Sequence, residues 1–139
     1  MRAAVVYFED KYGKLLKEQS EAFAKGLEAR GIRADVIDAK SFNSRLSVYQ
    51  FIAFGTEPAG TFGGKLPAGF VEFLKRSGTM TSSRAFAFVC KKGFRPEKSL
   101  LALMSAMENE GLFIVSSEVF SSPDLALEIG KKVNIKSGL

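Results

Sequence analysis

The sequence predicts an α/β protein built on a parallel sheet with helices on both faces. Two observations lead to this fold class. Short apolar runs alternate with helix-patterned segments from Ala3 to Val133, and the runs are apolar throughout or nearly so. Strand, helix and strand repeated along the whole chain is typical of a parallel sheet, because parallel neighbours need a crossover connection. We expect one domain over residues 1–139.

Five segments have the length and composition of strands that are covered on both faces. They are Ala3–Phe8, Ala34–Ile37, Phe51–Gly55, Ala85–Cys90 and Leu112–Ser116. Strands buried between two helical layers lose the alternation of polar and apolar residues that a half-exposed strand shows. Right-handed crossovers between such strands restrict the possible topologies to a few.

The first helix is predicted over Lys14–Arg30. Its apolar residues Leu16, Phe23 and Leu27 recur on one face at helical spacing, and Gly31 is a natural stop after them. This face should pack against the sheet.

Proline and capping residues mark where the later helices begin. Because proline suits the first turn of a helix, Pro67 and Pro96 are predicted to open the second and third helices. Ser122, followed by proline and aspartate, is a strong N-terminal cap for the last helix. The segment Ala39–Tyr49 is too short for a full crossover helix and should hold a single turn or a short helix.

The composition excludes several classes of catalytic and metal site. The chain has no histidine, which removes Ser-His-Asp and Cys-His catalysis and His-ligated zinc. Its one cysteine, Cys90, cannot form an internal disulfide or a thiolate-rich metal centre. Acid–base chemistry would rely on Asp, Glu, Lys or Tyr, and these form no convincing catalytic constellation. The sequence leaves open whether the protein is an enzyme.

Charge and hydropathy indicate the kind of partner and the compartment. The net charge of +5 favours anionic partners, but the basic residues are spread along helices, so we expect no nucleic-acid binding. No apolar run approaches the ~18 residues that span a bilayer. The N-terminal apolar run meets Glu9 and Asp10 at once, unlike a secretory signal. We therefore expect a cytoplasmic protein that does not bind membranes, which the single cysteine also favours.

Three stretches of the sequence resemble the flavodoxin-like family. The first stretch combines Val5–Tyr7, Glu21–Gly31 and Ala34–Asp38. The second combines Phe51–Thr56, Leu66–Pro67 and Phe73–Lys75. The third combines Ala85–Val89, Glu110–Gly111 and Leu112–Val115. The resemblance covers nearly the whole chain and implies a three-layer α/β/α sandwich with strand order 2-1-3-4-5. It also implies FMN at the carboxyl ends of the strands and electron transfer or flavin-dependent redox chemistry, with an acidic protein as a redox partner.

The same resemblance assigns cofactor binding to three loops that follow the first, third and fourth strands. The residues it implies are Lys11, Tyr12, Gly13 and Lys14 for the phosphate, and Thr56, Glu57, Thr61, Phe62, Gly63, Lys91, Gly93 and Phe94 around the ring. No metal ligands are implied.

The first of these loops departs from the hydroxyl-rich pattern of flavodoxins, of which only Gly13 remains. In that family amide groups, the helix dipole and several hydroxyls hold the phosphate. One interpretation is that Lys11 and Lys14 replace the hydroxyls as point charges. The other is that Asp10 caps the helix and its carboxylate occupies the amides. Repulsion between a phosphate and the two carboxylates of Glu9 and Asp10 favours the second interpretation.

The other two loops each contain one aromatic residue that could contact a flat ring. After the third strand, glycines allow close backbone approach and Phe62 could stack on the ring, or the segment could be an ordinary mobile crossover loop. After the fourth strand, Phe94 could cover the other face of the ring. Its neighbours Lys91, Lys92 and Arg95 would then form a positive rim, unless they only make the loop soluble.

Two functions remain open from the sequence. The first is an FMN-binding protein of electron transfer or flavin-dependent redox chemistry. The second is a flavin-free domain of the same fold that recognises an anionic small molecule or an acidic partner through its basic rim. Cys90 also allows two interpretations: a thiol activated by the lysines beside it, or a small buried hydrophobe, which the apolar run Phe86–Val89 favours.

Overall fold

The computed structural model describes residues 1–78, 80 and 83–135, and within these residues five strands alternate with four α-helices. The strands are β1 (Arg2–Tyr7), β2 (Arg33–Asp38), β3 (Phe51–Thr56), β4 (Arg84–Cys90) and β5 (Phe113–Phe120). The helices are α1 (Gly13–Ala29), α2 (Phe70–Arg76), α3 (Pro96–Asn109) and α4 (Pro123–Lys132), and a 3-10 helix (Ala39–Ser41) follows β2. The short element predicted after the second strand is therefore confirmed.

The strands form one parallel sheet in the order β2-β1-β3-β4-β5, as the resemblance implies. β3 is buried along its whole length, β1 and β4 are buried except at their first residues, and the edge strands β2 and β5 are partly exposed. Because all the strands run the same way, their carboxyl ends reach one edge of the sheet. We call this the carboxyl edge.

Each face of the sheet carries its own apolar core. On one face Phe54 packs with Phe70 and Phe73 of α2, and with Leu103 and Met107 of α3. On the other face α1 and α4 cover a cluster of four stacked or tilted phenylalanines. These are Phe23, Phe86, Phe88 and Phe120, with ring centroids 4.7–6.2 Å apart. Two helices on each face give the predicted three layers.

The predicted starts of the last two helices are confirmed, but the predicted start of the second helix is not. α3 begins at Pro96, and the Ser122 hydroxyl accepts a hydrogen bond from Leu125 N at 3.1 Å at the start of α4. Pro67 lies in a turn before α2, where its carbonyl accepts from Phe70 N at 3.3 Å. The intervening Gly69 has φ +90°, a left-handed conformation that keeps the helix from starting before Phe70.

β5 extends to Phe120, beyond the predicted end at Ser116. Its pairing with β4 shifts register between Ala85 and Phe86, and it continues until Phe120 lies opposite Cys90. The polar residues from Ser116 to Glu118 are tolerated because β5 is an edge strand with one partly exposed side.

None of the helices in the described part of the chain is both long and apolar enough to cross a membrane.

Candidate functional site

Three loops meet at the carboxyl edge and enclose a cleft of about 310 Å³. The cleft is lined by residues 10–12 after β1, by residues 58–61 after β3, and by Gly93 and Phe94 after β4. It lies beside the point where the strand order reverses, between β1 and β3. In open α/β sheets, ligands bind in the crevice at this switch point.

The loop after β3 is a closed hairpin and not an open crossover loop. Ala59 and Lys65 exchange backbone hydrogen bonds of 3.1 and 3.3 Å, and Gly63 N donates to the carbonyl of Gly60 at 3.1 Å. The Ser99 hydroxyl on α3 donates to the carbonyl of Lys65 at 3.0 Å. One wall of the cleft is therefore fixed to a helix.

The hairpin also touches the loop after β4, where the backbone is unusual. A Cβ on Gly63, which has φ +73°, would overlap the carbonyl oxygen of Phe94, so only glycine allows this contact. The next residue, Arg95, has φ +55°, the one positive φ of a non-glycine residue in the described ranges. This conformation costs about 1 kcal/mol, and such strain is often found at ligand sites.

Of the two candidate stacking residues, only Phe94 lines the cleft. Its side chain is half exposed, and the Arg95 guanidinium lies 5.4 Å from its ring centroid. Phe62 is 77% exposed at the tip of the hairpin and lies outside the cleft. The structure therefore presents one aromatic face to a ligand in the cleft.

The side chain of Glu57 lies in the turn after β1 and not in the cleft. Its Oε2 accepts hydrogen bonds from Asp10 N at 2.8 Å and from Tyr12 N at 2.9 Å, and its Oε1 accepts one from Lys11 N. The residue is fully buried. Successive amides at the start of a helix form an anion-binding concavity, here called the amide nest of residues 10–12. Glu57 supplies an anion to this nest from within the chain.

The expectation that Asp10 caps the first helix is wrong. Tyr12 is the N-cap residue, and α1 has no side-chain cap hydrogen bond. Asp10 contributes its amide to Glu57 and keeps its carboxylate at the surface. The side chain of Glu9 folds over the first residue of α1, since a Cβ on Gly13 would overlap the Glu9 carboxylate. Glycine at position 13 therefore makes room for a second acidic group.

The remaining predicted cofactor residues surround the cleft in different ways. Lys11, Tyr12, Thr61, Gly93 and Phe94 line it. Thr56 is fully buried below it, and its hydroxyl donates to the carbonyl of Phe8 at 2.9 Å. Gly13, Lys14, Phe62, Gly63 and Lys91 do not line it. Sequence reasoning missed Pro58, Gly60 and the amide-binding role of Glu57.

A second cleft, of about 320 Å³, lies beside the amide nest. Three lysines and one carboxylate contribute to its wall together with two apolar or aromatic residues: Lys11, Lys14, Lys92, Glu18, Tyr12 and Leu15. Lys11 and Tyr12 belong to both clefts, so the two are adjacent. This second cleft, which we call the lysine cleft, gives the site a positive side.

The thiol of Cys90 is not part of the site. Cys90 is fully buried, which confirms its interpretation as a small core residue. Burial raises the pKa of Cys90 to about 12, and the nearby charge of Glu57 adds to the increase, while Lys92 opposes it. The thiol stays protonated at neutral pH, so the interpretation of an activated nucleophile is wrong.

No protein-family model and no curated protein sequence matches this chain. Solved structures do. Flavodoxin 1 from Bacillus cereus, in its oxidised form, is 20% identical over 92% of this chain and 94% of that chain, with a TM-score of 0.68. The chain has the flavodoxin-like fold. The flavodoxin of Streptococcus pneumonia TIGR4 is 15% identical over 94% and 96% of the two chains, with a TM-score of 0.71.

Two further solved structures share this fold, one of them as part of a longer chain. Two-electron reduced flavodoxin from Megasphaera elsdenii is 14% identical over 91% of this chain and 96% of that chain, with a TM-score of 0.71. The flavodiiron protein from Giardia intestinalis is also 14% identical, over 95% of this chain but 35% of that chain, with a TM-score of 0.65. These likenesses show the fold, and the site's chemistry must be argued from its own residues.

The residues present fit one part of FMN and not the other. The cleft offers a flat ring one exposed aromatic face, on Phe94, and close backbone approach at Gly60 and Gly93. The phosphate has no place at the amide nest, because the three amides there already bind Glu57. The turn from Glu9 to Lys14 also carries no serine or threonine hydroxyl.

Proposed function

We propose that this protein binds a flavin-type ring in the cleft at the carboxyl edge and serves in electron transfer. The observation that carries the proposal is the position of the cleft at the switch point between β1 and β3, where Phe94 lines it from the loop after β4. A redox role is supported by two similar folds, flavodoxins solved in the oxidised and the two-electron reduced form.

The chain's own residues would bind and orient the ring. Phe94 offers a stacking surface, and the Thr61 hydroxyl and the backbone of Gly60 and Gly93 offer polar contacts at its edge. Lys11 and Asp10 line the same cleft with charges of opposite sign, so the cleft itself has no strong preference for a charged ligand. A bound flavin would supply the electron-accepting group itself.

The proposal is tested by titrating the protein into riboflavin and into FMN while following the fluorescence of the flavin. We expect the fluorescence to be quenched, and we expect Phe94→Ala to weaken binding by about fivefold to tenfold, the value of one aromatic contact of roughly 1 kcal/mol. Phe113→Ala is the matched control. Phe113 and Phe94 are both 54% exposed, but Phe113 lies at the amino end of β5, at the opposite edge of the sheet.

Equal loss of affinity in the two variants would mean that the ring does not lie against Phe94. Absence of quenching with both flavins at protein concentrations well above the micromolar range would reject flavin binding.

The lysine cleft favours a second candidate function, recognition of an anionic small molecule or an acidic protein without flavin. Lys11, Lys14 and Lys92 line this cleft with Tyr12 and Leu15, and their positive charge exceeds that of the one carboxylate present, Glu18. Binding of this kind would weaken steeply as salt is added, because exposed lysines act through screened charge. Ring binding in the first cleft would depend much less on salt, so the two functions separate in one titration series.

A further inference from the structure

We propose that Glu57 is a built-in substitute for a ligand phosphate, so that the site gains nothing from a phosphate group and binds a flavin-type ligand without one, such as riboflavin, at least as tightly as FMN. The selectivity rests on the proposed function. The occupation of the amide nest by Glu57 does not, and it can be tested by itself.

The amide nest of residues 10–12 is saturated. Each backbone amide has one proton to donate, and the amides of Asp10, Lys11 and Tyr12 all donate to the two oxygens of Glu57. A phosphate could take these hydrogen bonds only if the carboxylate left. Hydrogen bonds to an ionised acceptor are the strong class, so three of them together hold the carboxylate firmly.

The backbone on both sides of Glu57 is fixed, which opposes its departure. The hydroxyl of the preceding Thr56 is bonded to the Phe8 carbonyl at the end of β1. The following residue, Pro58, has a restricted φ, and Ala59 is paired with Lys65 at the base of the hairpin. The backbone of Glu57 is therefore held in place, and its carboxylate could leave the nest only by a change of side-chain rotamer that gives up the three amide hydrogen bonds.

The surroundings of the nest add to the selection against a bound dianion. Glu9 lies over the first residue of α1, so a phosphate at the nest would meet a second carboxylate there. The positive groups Lys11, Lys14 and Lys92 are at the surface and can attract anions, but the three amides of the nest are already bonded to Glu57.

The first experiment removes the Glu57 carboxylate from the nest and tests whether inorganic phosphate binds in its place. Glu57→Ala removes the carboxylate and leaves three amides without a partner, so we expect the melting temperature to fall by about 5 °C or more. Inorganic phosphate should restore much of this loss, because an anion that binds only the folded state stabilises it. Sodium chloride at the same ionic strength should not, and wild-type protein should show no such gain from phosphate.

Asp10→Asn is the matched control. It removes the same charge from the same turn, but the Asp10 carboxylate is exposed and its amide, not its side chain, contacts Glu57. We expect a small change in melting temperature and no phosphate rescue. Equal rescue of Asp10→Asn and Glu57→Ala would overturn the assignment of Glu57 as the internal anion.

If Glu57→Ala does not fold, measurements on wild-type protein and on Glu57→Gln test the proposal instead. In wild-type protein, the amide NMR signal of Asp10, the nest residue that does not line the lysine cleft, should not respond to inorganic phosphate beyond the effect of matched salt, and a saturable shift there would overturn the proposal. Glu57→Gln keeps the shape and removes the charge. It should raise the affinity for FMN relative to riboflavin, whereas an unchanged ratio would speak against selection by Glu57.

Flavin binding then tests the selectivity. We expect wild-type protein to bind riboflavin at least as tightly as FMN, within about threefold, since the phosphate gains no contact with the nest. FMN binding tighter than riboflavin by more than about threefold would contradict the proposal, because the phosphate would then contribute to affinity. If neither flavin binds, the proposed function fails, while phosphate rescue of Glu57→Ala still decides whether Glu57 fills an anion site.

Discussion

Replacing Phe88 by alanine should lower the free energy of unfolding by about 3–5 kcal/mol, measured by urea denaturation. Phe88 is fully buried in β4, and its ring lies 4.7 Å from Phe120 and 6.2 Å from both Phe23 and Phe86. Its loss would leave a cavity in the middle of the phenylalanine cluster, which the neighbouring rings cannot fill. A loss below about 1 kcal/mol would mean that this cluster does not hold α1 on the sheet.

The ring of Phe88 also explains why position 55 is glycine. A Cβ on Gly55 would overlap this ring, so Gly55→Ala in wild-type protein should destabilise by about 1–3 kcal/mol. In the Phe88→Ala background the same change enters empty space and should be neutral or stabilising. A double-mutant cycle measures this coupling, and additive effects would contradict the packing described for Gly55 and Phe88.

Replacing Gly26 by leucine should cost about 3 kcal/mol or more, at the upper end of the range for overpacking, because the obstruction is backbone. A Cβ on Gly26 would overlap the carbonyl oxygen of Leu127 in α4, and the Cα of the facing Gly130 lies 2.8 Å from the same position. The two helices can cross this closely only because both have glycine at the contact. Thermal unfolding should shift down by roughly 10 °C for such a loss.

Glu28→Leu is the control for that substitution. Glu28 is exposed on the same helix, so an added leucine meets solvent and should change the stability by less than about 0.5 kcal/mol. A similar loss in both variants would point to a change in helix propensity or solubility and away from the contact between α1 and α4.

The sheet could be predicted from the sequence because its signal is local and repeated. Phe51–Gly55 and Ala85–Cys90 read as buried strands, since residues that face either helical layer must be apolar. The starts of α3 and α4 were equally readable, from a proline and from a serine cap. The strand order came from the family resemblance, and the structure has the same order.

The errors in the fold arose where tertiary contacts decide. Pro67 suits the first turn of a helix, but Gly69 in a left-handed conformation delays α2 to Phe70. β5 continues past Ser116 because pairing with β4 satisfies its backbone, although its residues from Ser116 to Glu118 are polar. Neither the turn geometry nor the strand pairing can be read from a short segment of sequence.

The site was predicted less well, for a similar reason. Charge repulsion from Glu9 and Asp10 favours an internal carboxylate over a bound phosphate in the first turn, and the sequence offers Asp10 as that carboxylate. In the structure Glu57 is that carboxylate, 47 residues further along the chain from Asp10. A signal existed: an acidic residue directly after a fully buried strand needs partners, and the neighbouring strand ends in a turn with free amides.

The arrangement has a simple consequence for chemistry at the carboxyl edge. The carboxylate of Glu57 fills the amide nest and so stabilises the folded protein, while the ring-sized cleft beside the nest remains open. A ligand would then be held mainly by Phe94 and by backbone contacts, with Lys11 nearby. Affinity would come from the ring system and not from an anionic tail.

The most direct test of this account is a map of amide NMR shifts on titration with riboflavin. We predict saturable shifts in residues 10–12, 57–65 and 91–95, which surround the cleft at the carboxyl edge. Another cleft, separate from the lysine cleft, lies at the amino ends of the strands and is lined by Arg2 and residues 42–45 and 47–49. The amide signals of these residues should not shift. Shifts confined to that opposite edge would contradict the placement of the ligand, and with it the role assigned to the three loops.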